Sequence, residues 1–269
     1  MLRERLMARR VPDRPGWRWR GREVTRIEAL SDAVFGFAIT LLVISLEVPQ
    51  TFSELLVALE GMVAFAVCFA LLFMVWFHQY RFFRRFGLED GITITLNGVL
   101  LFVIVFFVYP LKFVFGFVIG ALMGDPSYVV GPAGEHIPKL AGGQAQTMML
   151  VYGLGYLSVF VIFALLHLHA YRKRAELELS ELEVFDTVDN VRESVLNITI
   201  AALSIVLAYF GGPSGPSLGG LSYWLIGPGL GIHGWMSSRA RKRLSDRLEA
   251  AGTPAVPATS LYPAAGAVE

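Results

Sequence analysis

Arg26-Ile-Glu-Ala-Leu-Ser-Asp32 runs directly into Ala-Val-Phe-Gly-Phe-Ala-Ile-Thr-Leu-Leu-Val-Ile-Ser-Leu46. The run after Asp32 carries no charge. About 20 apolar residues in a helix cross a bilayer, so this stretch reads as a membrane-crossing helix with a carboxylate at its entrance. An ionised carboxylate in hydrocarbon costs about 2.5–3.5 kcal/mol on insertion scales. Neighbouring donors must offset that cost, and finding them is the first question the sequence poses.

The rest of the chain fits the same reading. Of its 269 residues, 55% are hydrophobic and 17% charged, with mean hydropathy +0.57; soluble domains carry about 25% charged residues. Apolar runs fall at about 29–48, 55–80, 91–120, 147–170, 191–210 and 218–236. The Lys and Arg residues are segregated. The first 28 residues, the turn at Arg81, Arg84 and Arg85, the stretch Tyr171–Arg192 and the tail after Met236 hold 21 of the 23; Lys112 and Lys139 are the other two. Basic connections stay in the cytosol. The fold class expected is all-α and polytopic, with six transmembrane helices and both termini cytosolic. Residues 1–28 form a basic cytosolic arm, 29–240 the six-helix domain, and 241–269 a cytosolic, unstructured tail. Arg172–Asp189 reads as a cytosolic continuation of the fourth helix, and Pro110 is expected to bend the third.

The polar residues inside the spans gather at one depth. Ser31 and Asp32 lie in the first turns of the first helix, and the second returns to end in Trp76-Phe-His78-Gln-Tyr80-Arg81. Asn97 lies about 9 Å along the third if that helix starts near Gly91. Asp32, His78 and Asn97, with Arg26 just below, therefore form a candidate hydrogen-bonded cluster that staples three helices, and Ser31 and Trp76 are counted with them as candidate hub residues. Beyond it, Phe37, Thr40, Leu41 and Ile44 recur at i, i+3, i+4 and i+7. Two readings stay open for this stripe: ordinary packing or lipid-facing surface, and a pore wall whose hydrophobic constrictions gate by dewetting. Glu47 near the outer turn, with Glu54 and Glu60, is a candidate attractor of cations.

Other signals point away from chemistry. The single Cys68 precludes an intrachain disulfide, and no zinc spacing exists. His167 and His169 are two apart on a helix and face different sides, so no metal site is expected. Gly116, Gly120 and Gly124 have the G-x-x-x-G spacing of close helix approach. Gly153 and Gly155 follow no strand, which removes a nucleotide-binding reading. No nucleophile, base and oxyanion set appears, so the chain is not expected to be an enzyme. Neither a cofactor nor a nucleic-acid partner is expected.

At these residues the chain resembles the transmembrane protein 175 family of endosomal and lysosomal potassium channels and their bacterial relatives. Arg26, Ser31 and Asp32 match the family's R-x-x-x-F-S-D signature, with Leu30 in place of the phenylalanine. Trp76 and His78 resemble its second-helix element, and Asn97 to Pro110 its third helix. The similarity covers roughly residues 24–112. It implies a homotetramer in a bacterial plasma membrane, with the first helix of each subunit lining a potassium-selective pore. The permeant species implied is the potassium ion, and the partners are further copies of the chain and the lipid bilayer. It also implies constrictions at Phe37, Leu41 and Ile44, selectivity from Thr40, and a structural hub around Asp32. Phe37 stands where isoleucine is common, and four aromatic rings would narrow such a pore. The competing function is a proton-coupled secondary transporter with Asp32 and His78 as relay groups.

Overall fold

A computed structural model describes residues 20–21, 23–44, 50–124, 128–130, 135–140 and 143–251. Five long helices dominate: α1 (Arg26–Ile44), α2 (Phe52–Phe86), α3 (Gly91–Leu122), α4 (Gln144–Arg172) and α5 (Glu181–Phe210). All five are long and apolar enough to cross a membrane, counting α2 from Gly61. Between α3 and α4 a short antiparallel ribbon pairs β1 (Tyr128–Val130) with β2 (His136–Pro138). The described residues end in α6 (Gly215–Ser222) and α7 (Ile226–Ala250), with 3₁₀ turns before and after α6.

Three helix starts are capped at the arginine-rich end of the bundle. At α1, Glu28 N donates to Thr25 Oγ1 at 3.2 Å and Thr25 N donates to Glu28 Oε2 at 2.9 Å. At α3, Thr93 N donates to Asp90 Oδ1 at 3.1 Å. At α5, Ser180 and Glu183 form a reciprocal capping box. Each cap satisfies backbone N–H groups that the first helical turn leaves without partners.

That last cap corrects the sequence reading of Arg172–Asp189. The fourth helix stops at Arg172, the chain turns through Lys173–Leu179, and a new helix starts at Glu181. The turn includes Glu178 at φ 47°. Pro110, by contrast, sits inside α3 without ending it.

The sixth expected crossing, 218–236, is not one uniform helix. α6 is eight residues long, a 3₁₀ turn covers Tyr223–Leu225, and α7 continues from there. Its Gly and Pro content accounts for the breaks. Gly219 lets α6 lie directly on α5, because a Cβ there would meet Ser204 O at 2.9 Å. α7 then carries helix to Ala250, ten residues into the segment read as an unstructured tail. It is held there by Arg241, whose Nε donates to both Asp186 carboxylate oxygens at 2.9 and 3.1 Å.

The core joins the buried faces of α1 to α4: Phe35, Ala38 and Leu42 of α1, Phe82, Phe83 and Phe86 of α2, Leu100, Ile104 and Val108 of α3, and Phe163 and Leu166 of α4. Cys68 is buried there as a packing residue, its Sγ 3.7 Å from Leu111 O.

Of the arm, the described residues Arg20 and Gly21 dock on the bundle as an irregular segment. Arg20 donates to Glu183 through Nη1 at 2.9 Å and Nη2 at 3.0 Å, and Glu183 is fully buried. Gly21 and Arg84 exchange two hydrogen bonds, Gly21 N to Arg84 O at 3.2 Å and Arg84 Nη1 to Gly21 O at 3.0 Å. The α2–α3 turn makes room for this segment at Gly87, whose φ of +60° suits glycine and whose missing Cβ would meet Arg20 at 3.2 Å.

Candidate functional site

α1 presents two unlike faces. Phe35, Ala38 and Leu42 are buried within the chain. Ala29, Ala33, Gly36, Phe37, Thr40, Val43 and Ile44 are exposed, with Phe37 at 56% and Ile44 at 71%. Nothing in the described chain covers this apolar face. Thr40 is its one hydroxyl, and Thr40 Oγ1 donates to Gly36 O at 2.9 Å, which keeps the side chain against its own helix. Leu41 differs from the rest of the stripe. It is half-buried and packs on the core. At about 100° per residue it lies about 40° past Phe37, whereas Thr40 lies about 60° to the other side.

At the arginine-rich end, a directional relay crosses three helices. Gln79 Nε2 of α2 donates to Asn97 Oδ1 of α3 at 2.6 Å. Asn97 Nδ2 donates to Ser31 Oγ of α1 at 3.0 Å, and Ser31 Oγ donates to Ile27 O at 2.8 Å. Gln79, Asn97 and Ser31 are all buried. Such a network fixes three helices at one mutual rotation because every member is partnered.

Asp32 lies beside this relay, on the exposed side of α1. Trp76 Nε1 donates to Asp32 Oδ1 at 2.7 Å. Trp76 itself belongs to an aromatic ladder along α2. Phe65, Phe69, Phe73, Trp76 and Tyr80 follow one another with centroids 5.3–6.3 Å apart. The Arg84 guanidinium ends the ladder, 5.5 Å from the Tyr80 centroid.

The structure therefore brings together Ser31 and Asn97 through one set of bonds and Asp32 and Trp76 through another. It does not bring in His78. That ring packs at 5.6 Å on Phe163 of α4, and no hydrogen bond joins it to Asp32 among the described residues. The neighbouring residue, Gln79, occupies the place expected of it. Arg26 opens α1 but is exposed, with no side-chain hydrogen bond or ion pair inside the described chain. Glu47 lies outside the described residues; Glu54 and Glu60 fall in α2, where only their backbone is described. His167 and His169 diverge. His167 Nδ1 meets Phe163 O at 2.8 Å between the Phe82 and Phe86 rings, while His169 Nε2 meets Asp90 Oδ2 at 2.6 Å. No group of three or more metal-ligating side chains occurs among the described residues.

Comparison with known proteins bears on this arrangement. The family described as "Endosomal/lysosomal potassium channel TMEM175" matches residues 26–107, which span α1, the Trp76 end of α2 and the Asn97 end of α3. A protein named "Potassium channel" from Marivirga tractuosa is 35% identical over 236 residues, covering 86% of this chain and 94% of its own length. The chain belongs to the TMEM175 potassium-channel family.

A second family member, potassium channel Cha6605_3372 from Chamaesiphon minutus, is 31% identical over 156 residues, or 55% of this chain and 66% of that one. Among solved structures, a variant of the potassium channel MtTMEM175 in complex with a Nanobody-MBP fusion protein aligns with a TM-score of 0.72 at 35% identity. It covers 85% of this chain and all of that one. This TMEM175-family chain is accordingly a multi-pass membrane protein of an ion-channel family, not an enzyme. Sequence reasoning missed two of its features, Gln79 in the relay and the α2 ladder. The signal for both was spacing: Gln79 is three residues from Trp76, and the aromatics recur at four, four, three and four.

Proposed function

We propose that four copies of the chain assemble around a common axis and that the uncovered face of α1 lines a potassium-selective, leak-type pore between them. One observation carries this reading. A membrane helix buried on one side by its own chain leaves the opposite side, apolar beyond Asp32 but for Thr40, with nothing in the described chain covering it. One such helix cannot enclose an ion path, so a pore built from it needs several copies.

In this reading Phe37 and Ile44 form the narrowest rings and Leu41 supports them from the core side. Thr40 Oγ1 donates to Gly36 O, so its oxygen keeps lone pairs that face the axis and meet a dehydrating cation. Potassium as the permeant ion comes from the names of the relatives. The exposed carboxylate of Asp32 supports assembly as well. Trp76 supplies one donor, and a neighbouring copy supplies the remaining polar contacts that a carboxylate at membrane depth requires. Glu47 would then stand near the outer mouth and raise the local cation concentration.

The test is potassium flux from liposomes holding the purified chain. Phe37→Ala widens an aromatic ring and is expected to raise flux. Ile44→Asn wets a hydrophobic constriction and is expected to raise flux and weaken selection against sodium. Flux indifferent to both substitutions would remove α1 from the pore.

A further inference from the structure

Between Glu193 of α5 and Arg239 of α7 the sequence contains no Asp, Glu, Lys or Arg. Charge returns abruptly at Arg239, and Arg241, Lys242 and Arg243 follow. The two ends of this uncharged stretch lie beside one another, because α7 runs back along α5. His233 Nε2 stands 3.2 Å from Asp189 Oδ1, and Arg241 Nε donates to Asp186. Residues 235–239 fall between those two contacts. About one turn further along α5 come its last charges, Arg192 and Glu193. Both helices therefore pass from charged to uncharged at one level, as helices do at a membrane surface.

His233 and Arg241 take the side of α7 that meets α5. Trp235 lies about 160° around the helix from His233 and is exposed, as are Ile232 and Met236. Arg239 is four residues beyond Trp235, and Lys242 and Arg243 are three and four beyond Arg239, so all four are neighbours on the outward face. The three cations are exposed as well. The Arg239 guanidinium lies 3.6 Å from the Trp235 ring centroid. The ring covers one flat side of the guanidinium and leaves the N–H donors, which lie in its plane, directed outward. Asp186 neutralises Arg241. No ion pair or side-chain hydrogen bond engages Arg239, Lys242 or Arg243 among the described residues, and Asp246, the next acid along this face, pairs with none of them. A stacked tryptophan and three cations without counter-charges, placed where an uncharged stretch ends, match a phosphate whose acyl chains lie on the tryptophan side.

We propose that this face of α7 binds the headgroup phosphate of an anionic phospholipid in the leaflet at the arginine-rich end of the bundle. Arg239 holds the phosphate through charge-assisted, bidentate hydrogen bonds. Trp235 fixes the guanidinium and lies at the headgroup level, with Ile232 and Met236 against the acyl chains. Lys242 and Arg243 supply the charge that favours a headgroup of net negative charge. A zwitterionic lipid offers the same phosphate but sets its own cation beside theirs. The pore reading is not required, because the readout is lipid contact and not flux.

The experiment is photo-cross-linking of the full chain in lipid nanodiscs, with cross-links mapped by peptide mass spectrometry. The probe is phosphatidylglycerol or phosphatidylcholine carrying a diazirine near the headgroup end of one acyl chain. Wild type is expected to cross-link residues 232–236 several-fold more with the anionic probe. Arg239→Gln is expected to cut that yield about fivefold, and R239Q/K242Q/R243Q to bring it down to the zwitterionic level. Should the triple variant fail to fold, Arg239→Gln alone carries the test. Arg247→Gln removes an exposed cation one turn beyond the patch and is expected to leave the yield near that of wild type, because salt screens charge over about 8–10 Å. A drop as large as that of Arg239→Gln would mean diffuse attraction to net charge and overturn the site. Excess glycerol phosphate is expected not to compete; competition would mean a site for soluble anions and overturn the proposal. Equal yields from the two probes on wild type would overturn it, as would an anionic preference that survives the triple substitution.

Discussion

Trp76 Nε1 lies 2.7 Å from Asp32 Oδ1, so the carboxylate near the start of α1 is held by the aromatic ladder of α2. Trp76→Phe keeps a ring for the stack but deletes the donor. Because Asp32 is exposed within the chain, the loss is expected near the low end for a bond to a charged group, about 1 kcal/mol. Asp32→Asn retains an oxygen that accepts from Trp76 and is expected to assemble normally. Size-exclusion profiles after graded heating would check both. A tryptophan variant as heat-resistant as wild type would show that the bond contributes nothing.

The Gln79–Asn97–Ser31 relay predicts a different pattern, since all three residues are buried. Ser31→Ala strands Asn97 Nδ2, at a cost of about 1–3 kcal/mol. Asn97→Leu removes the middle of the relay and strands Gln79 as well, so it is expected to cost more. A Ser31→Ala/Asn97→Ala double-mutant cycle, followed by unfolding in mixed micelles, is expected to give a coupling of roughly 0.5–3 kcal/mol. Additive single effects would mean that the two side chains meet without cooperating.

These two predictions mark where the sequence was legible. Helix starts and rise per residue put Asp32, His78 and Asn97 at one depth with Arg26 just below, and the structure joins Asn97 to Ser31 and Asp32 to Trp76 across helices. Depth, however, does not give azimuth. His78 is two residues from Trp76, about 160° around the helix the short way, while Gln79 at three residues is only about 60° away. The relay therefore took Gln79, and His78 turned to Phe163. The break between α4 and α5 was readable from Ser180 and Glu183, a capping-box pair overlooked amid the charges. The burial of Glu183 was not, because its partner Arg20 lies 163 residues away. Long apolar runs gave five helices; the Gly- and Pro-rich run at 218–236 has too little regular pattern to show where its helix falters.

Arg20 and Glu183 join the arm to the start of α5, and Arg20 Nε also donates to Leu177 O at 3.0 Å. Arg20→Ala leaves a buried carboxylate with one fewer charge partner, and breaking such a pair costs about 3–5 kcal/mol. Glu183→Gln keeps a side chain able to accept a backbone N–H of the cap and is expected to be milder. The arm should also leave the α2–α3 turn, which makes the chain before α1 easier to cleave. Limited trypsin digestion of wild type and Arg20→Ala would reveal it; identical cleavage rates would count against the clasp.

Asp90 gives a pH dependence. Burial pushes its carboxyl up, but hydrogen bonds from Thr93 and His169 outweigh that and hold it well below the usual carboxylate range. Lys173 Nζ stands 3.4 Å away as well. An unfolded aspartate titrates near about 3.9. Below that value the unfolded chain binds a proton that the folded chain resists, so this stabilisation is complete above about pH 5 and drains away as pH falls through the folded pKa. Asp90→Asn can still cap α3 but has nothing to titrate. The melting midpoint of wild type is therefore expected to fall more steeply between pH 5 and 3 than that of Asp90→Asn. Parallel curves would exclude Asp90 as a source of acid lability.

The last prediction concerns the glycines at which helices of the chain approach one another. A Cβ on Gly155 of α4 would overlap the Phe107 ring of α3, and one on Gly153 would meet Ile205 of α5 at 2.7 Å. Gly116, from the G-x-x-x-G run, has nothing within 4 Å of its would-be Cβ. Close helix approach within the described chain is therefore made at Gly153 and Gly155 and not at Gly116. Gly155→Ala overpacks the α3–α4 contact and is expected to cost about 1–3 kcal/mol. Gly116→Ala is expected to stay within about 0.5 kcal/mol of wild type. Because the penalty arises from one ring, the added Phe107→Leu should recover part of it, and unfolding in mixed micelles of the two single variants and the Gly155→Ala/Phe107→Leu pair would measure this. A Gly155→Ala chain as stable as wild type, or a loss that Phe107→Leu only deepens, would mean that the ring has room to move and the glycine is not what lets α3 and α4 meet.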